Sequence, residues 1–125
     1  MSNPLRAEFE PNGRPNVPEF GTVADREGFL ALREMDAYHH VVDGVRYPAV
    51  LLTTGVNDPR VAPHNAAKMA ARLRRANSDP TGRPTLLRVD FEAGHGVGST
   101  RAQIDAEAAD EYAFVLRHAG PPARP

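Results

Sequence analysis

The stretch Tyr47-Pro48-Ala49-Val50-Leu51-Leu52-Thr53-Thr54-Gly55 decides the fold. From Pro48 to Thr54 it is a short apolar, β-branched run ending at a glycine, which predicts a strand buried on both faces. Downstream, Pro63 suits the first turn of a helix that Ala66, Ala67, Met69, Ala70, Ala71, Leu73 and Ala76 continue. After a polar loop from Asn77 to Pro84, the alternation of Leu86, Arg88 and Asp90 with Leu87, Val89 and Phe91 reads as a second strand. Thr100 and Gln103 stand at capping-box spacing before a last helix, which runs to about His118 and stops at Gly120-Pro121. Ile104, Ala108, Tyr112, Val115 and Ala119 are the expected inner face of that helix.

The order strand, helix, strand, helix predicts parallel strands joined by crossovers, hence an α/β fold. Two strands are too few, because parallel strands need neighbours and helices on both faces. The expectation is therefore an incomplete sheet, the back half of a larger domain.

Upstream, residues 1–21 read as an extended arm. Leu5 to Gly21 carries Pro11, Pro15, Pro18 and Gly13, with few apolar residues to bury. Asp25 is placed to cap a helix from Arg26 to about Asp36, with Phe29, Leu32 and Met35 at spacing three. Ala37 to Tyr47 is mixed, with turn chemistry at Asp43-Gly44.

Composition narrows the functional classes. The 125 residues suit one small domain, and the 15 basic against 16 acidic residues leave a net charge of −1. Such a balance offers neither a basic field for nucleic acid nor a polybasic run for a membrane surface. No apolar stretch approaches the roughly 18 residues of a membrane span. The start of the chain lacks the regions of a signal peptide, so a cytoplasmic home is the expectation. The absence of cysteine removes disulfides, thiolate metal sites and a thiol nucleophile. Lys68, the only lysine, lies mid-helix without an activating partner, which argues against Schiff-base chemistry.

Ligands of open α/β sheets gather at the carboxyl ends of strands. Two loops fall there: Gly55-Val56-Asn57-Asp58-Pro59-Arg60-Val61 and Glu92-Ala93-Gly94-His95-Gly96-Val97-Gly98. Asp58 and His95 are 37 positions apart, with one crossover helix between them. Adjacent parallel strands would set the loops side by side, close enough for the carboxylate to hold one ring nitrogen while the other works as a base. Taken singly, Asp58-Pro59 is an ordinary turn and Gly-His-Gly an ordinary loop; their joint placement carries the catalytic reading. His39, His40, His64 and His118 have no comparable setting, and His39-His40 lacks the further ligands of a metal site. Ser2, Ser78 and Ser99 lie in no Gly-x-Ser-x-Gly elbow. Ser99 is better explained as support for the following helix start. An acid and a base appear in the α/β-hydrolase order, and the nucleophile is expected upstream.

Tyr47 to Gly55, Asn57-Asp58-Pro59-Arg60-Val61-Ala62-Pro63, Lys68-Met69-Ala70-Ala71-Arg72-Leu73 and Ala93-Gly94-His95-Gly96 together resemble the C-terminal end of prolyl oligopeptidases. Asn16-Val17-Pro18-Glu19-Phe20-Gly21 and Ala37-Tyr38-His39-His40-Val41 extend the likeness over nearly the whole chain. The resemblance implies a partial α/β-hydrolase catalytic domain over 1–125, with Asp58 as triad acid, His95 as triad base and Arg60 gripping a carbonyl of the bound peptide. It implies cleavage of short peptides after proline through an acyl-enzyme, without cofactor or metal, the serine lying before Met1. Two other readings stand beside it. One is a related esterase or acyl-aminoacyl peptidase, against which the Asn57-Asp58-Pro59-Arg60 block argues. The other is a non-catalytic module whose sheet edge binds a partner.

Overall fold

In the computed structural model, which describes residues 3–95 and 99–119, β1 (Val50–Gly55) pairs in parallel with β2 (Thr85–Asp90). The register runs from Val50 opposite Thr85 to Gly55 opposite Asp90, so both strands end at the same level. Between them α4 (His64–Ala76) crosses over, starting one residue after the proline expected in its first turn. Met69, Leu73 and Ala76 of α4 are buried with Val41, and Tyr38, Tyr47, Val50 and Leu52 pack against them. This cluster is the core, lying between α4 and the sheet. β1 is half-buried along most of its length rather than covered on both faces. The reason is the sheet itself, which among the described residues has only two strands.

Of the expected arm over 1–21, the described residues 3–21 are not extended. Where described, they fold into α1 (Pro4–Ala7), a 3-10 turn (Arg14–Asn16) and α2 (Val17–Phe20). The prolines permit this because Pro4, Pro15 and Pro18 each sit in a first turn, where a missing N–H removes no helical hydrogen bond. Pro4 is buried, and α1 packs on α3 (Arg26–Glu34). At the start of α3, Asp25 accepts from the Gly28 N–H at 2.8 Å, the expected cap, and the helix ends two residues early.

α5 (Arg101–His118) opens with a complete capping box. Thr100 Oγ1 accepts from Gln103 N at 3.3 Å, and Gln103 Oε1 accepts from Thr100 N at 2.7 Å. Its expected inner face is not the one it turns inward. Gln103, Glu107, Phe114 and His118 are half-buried, as is Ala108 of the expected face, while Ile104, Tyr112, Val115 and Ala119 are exposed. Arg88 of β2 reaches Asp110 at 2.8 Å and so ties α5 to the sheet. The proposed stop at Gly120-Pro121 lies outside the described residues. No described helix is long and apolar enough to cross a membrane.

Candidate active site

The site grows out of the aligned strand ends. Val56 N donates to Asp90 O at 2.8 Å, continuing the ladder one step past β1. Asn57 then joins the two loops: its N–H donates to Ala93 O at 3.2 Å, and its Nδ2 to Phe91 O at 3.4 Å and Glu92 O at 3.3 Å. Gly55 permits the approach, since a Cβ there would stand 2.4 Å from Ala93 O and 2.6 Å from Gly94 O. Asp90 shapes the second loop by accepting from the N–H groups of Glu92 and Ala93 at 2.9 and 2.8 Å. Those two bonds hold its carboxyl below the ordinary carboxylate value.

Asp58 and His95 meet. His95 Nδ1 lies 2.7 Å from Asp58 Oδ2, with the Asp58 side chain 10% exposed and that of His95 38%. The other carboxylate oxygen, Oδ1, accepts from Arg60 N at 2.8 Å and Val61 N at 2.9 Å. Burial pushes the Asp58 carboxyl up, but the Val61 N–H, the His95 ring and the Arg60 N–H outweigh it, and the group lies below its ordinary value. An ionised Asp58 accepts only, so His95 Nδ1 carries the proton and Nε2 is left with a lone pair. The pair borders a cavity of about 310 Å³, lined also by Thr54, Asp90, Ser99 and Glu107.

Of the three residues singled out in the sequence, the structure brings two together. Arg60 contributes its backbone N–H to Asp58, while its side chain is exposed and outside the cavity lining. The glycines Gly96 and Gly98 that flank His95 lie outside the described residues. Ser99 lines the cavity, whereas the bonds that cap α5 belong to Thr100.

Two other histidines also face carboxylates, contrary to expectation: His39 and Asp36 at 3.1 Å, and His64 and Glu10 at 3.1 Å. Neither shares the strand-end cavity or the doubly anchored oxygen of Asp58. Asn57, Asp90 and Glu107 went unread in the sequence. The only signal for Asn57 was a polar residue directly before Asp58 in a glycine-bounded loop.

The Prolyl oligopeptidase family model matches residues 9–122 of the chain. A prolyl endopeptidase of Elizabethkingia meningoseptica is 34% identical over 103 residues, which is 82% of this chain and 14% of that protein. The chain thus spans about one-seventh of such a relative's length (14%). A prolyl endopeptidase structure, from a study of inter-domain dynamics in two such enzymes, superposes with a TM-score of 0.85 at 34% identity. It covers 93% of this chain and 17% of that one. Prolyl oligopeptidase B from Galerina marginata, a serine-to-alanine mutant bound to a 35mer hydrolysis and macrocyclization substrate, gives a TM-score of 0.81 at 26% identity. That match covers 97% of this chain and 17% of the other. The parallel strands, their crossover helix and the loops at their ends are accordingly part of an α/β-hydrolase fold, and the chain belongs to the prolyl oligopeptidase family of serine peptidases.

Proposed function

We propose that Asp58 and His95 are the acid and base of a Ser-Asp-His triad whose serine is supplied from outside these 125 residues, and that the assembled site cleaves short peptides after proline. The observation that carries this reading is the 2.7 Å contact between His95 Nδ1 and Asp58 Oδ2 at the ends of adjacent parallel strands. Asp58 holds the Nδ1–H tautomer and stabilises the imidazolium that forms during reaction. Nε2 takes the proton of the serine hydroxyl as its oxygen attacks the carbonyl carbon, then returns that proton to the leaving amine. Water, deprotonated by the same nitrogen, releases the acyl group. Arg60, one residue past Pro59 and with its backbone tied to Asp58, is assigned to grip a carbonyl oxygen of the bound peptide.

Two features support a nucleophile-bearing partner segment. β1 has no strand on its second edge among the described residues, and α5 exposes Ile104, Tyr112, Val115 and Leu116. An uncovered parallel edge and an apolar helix face are surfaces that the rest of a hydrolase domain would cover.

The chain by itself is expected to turn over no fluorogenic post-proline substrate, because none of its serines stands in a nucleophile elbow. Turnover that disappears in His95→Ala would overturn that. The direct test replaces the matching segment of the Elizabethkingia meningoseptica prolyl endopeptidase with this chain. A folded chimaera should hydrolyse the substrate, lose about six orders of magnitude in kcat with His95→Ala, and about four with Asp58→Asn. Retained turnover in either variant would sink the triad.

A further inference from the structure

The loop that carries Asp58 and Arg60 is held to the body by two segments. Asn57 ties it to the His95 loop, as described. A second segment, the turn between α1 and the 3-10 helix, also reaches it. Asn12 Nδ2 donates to the carbonyl oxygen of Pro59, the residue directly after Asp58 and 47 positions from Asn12. Glu10 Oε1 lies 3.1 Å from Nε2 of His64, the first residue of α4, where the loop ends. One short turn therefore grips the middle of the loop at Pro59 and the start of the helix that follows it at His64.

The turn is built to present those two side chains. Gly13 N donates to Glu10 O at 2.8 Å, and Asn16 Nδ2 donates to Asn12 O at 3.2 Å. The chain folds back so tightly that a Cβ on Gly13 would lie 1.7 Å from Ala7 O, a backbone atom that cannot swing away. By contrast, the bonds from Arg60 N and Val61 N to Asp58 are internal to the loop. They fix its shape without fixing its place.

The geometry points to Glu10 and Asn12 as positioning residues, which brace the Asp58 loop against the N-terminal segment and so keep Asp58 in reach of His95. The brace is a property of this chain; its catalytic meaning rests on the triad reading. The size of the effect is modest, since both contacts are partly exposed. One ordinary hydrogen bond corresponds to about a fivefold change in loop opening, and an exposed ion pair to about twofold.

The test uses the 125-residue chain and two readouts by nuclear magnetic resonance: hydrogen exchange at the Asn57 amide, which donates to Ala93 O across the two loops, and titration of the Asp58 carboxyl carbon. The double variant Glu10→Ala/Asn12→Ala should speed exchange at the Asn57 amide about tenfold. It should also move Asp58 titration upward, towards the ordinary carboxylate value. Gly13→Ala, which breaks the turn without touching either contact residue, should act in the same direction. Glu10→Gln keeps an acceptor for His64 and should stay near the wild type. Arg46→Ala, which removes the 3.1 Å pair with Asp79 elsewhere in the molecule, should change neither readout. Unchanged exchange and titration in the folded double variant would overturn the brace, as would an equal response to Arg46→Ala. A chimaera without turnover beside a responding loop would sink the triad and leave the brace standing. A working triad beside an unresponsive loop would do the reverse.

Discussion

At Asp58 the two carboxylate oxygens have separate partners, and that division is the chemical centre of the molecule. Oδ1 belongs to its own loop through Arg60 N and Val61 N, and Oδ2 belongs to His95. Asp58→Asn preserves the size of the group but can present an N–H donor where Oδ2 accepted. His95 should then carry its proton on Nε2 and accept at Nδ1 near neutral pH, which nitrogen-15 spectra of the ring would report. An unchanged Nδ1–H tautomer would contradict the contact. The carboxyl also links to stability with a definite sign. Because its folded value lies below the ordinary one, ionised Asp58 stabilises the fold above about pH 4, and that contribution disappears as pH falls through the lower folded value. Thermal unfolding of wild type and Asp58→Asn should therefore differ at pH 7 and converge in acid. Asp58 and His95 were legible in the sequence because both follow a strand and one crossover helix separates them. Asn12 was not legible, since nothing local signals a hydrogen bond across 47 positions.

Among the elements, α5 shows how local signals and packing divide the work. Its start was readable because a capping box is a contact between neighbours, and Thr100 and Gln103 make both halves of it. Thr100→Ala should cost about 1 kcal/mol in unfolding free energy, and an unaltered denaturation midpoint would count against the cap. Its orientation was misread, because the apolar stripe from Ile104 to Val115 predicts an inner face only if the surface beneath it is present. Here the helix is tied to β2 by Arg88 and Asp110, and Ile104, Tyr112 and Val115 of the stripe are exposed. The end of β1 makes a second case. Gly55→Ala would force backbone against backbone at Ala93 and Gly94, so the two loops must part. The expected result is a destabilised chain in which the His95–Asp58 contact is lost. The helical turns before Gly21 were missed because Pro15 and Pro18 read as breakers, although each stands in a first turn that tolerates it.

For the molecule as a whole, the two-stranded sheet makes a prediction residue by residue. In a parallel strand, successive backbone groups point to alternate sides. Val50 N and Val56 N both donate towards β2, to Pro84 O and Asp90 O, which puts Leu52 and Thr54 on that side and Leu51, Thr53 and Gly55 on the open edge. Hydrogen exchange on the isolated chain should therefore be slow at Leu52 and Thr54 and fast at Leu51 and Thr53. In the chimaera the fast pair should become protected as a neighbouring strand covers the edge. Equal protection of all four in the isolated chain would mean that the edge is already covered.

The sequence by itself determined what depends on neighbours along the chain: the strand–helix–strand–helix order, the helix caps, and an aspartate and a histidine after consecutive strands. Those features follow from periodicity, capping chemistry and turn residues, all of which act within a few positions. Only the tertiary structure decided that Asp58 and His95 are in contact, that Asn57 and Asn12 both bond to the Asp58 loop or across it, and that Asp110 ties α5 to the sheet through Arg88. These arise from packing between segments far apart in sequence, where a match in shape and hydrogen bonding leaves no local pattern to read.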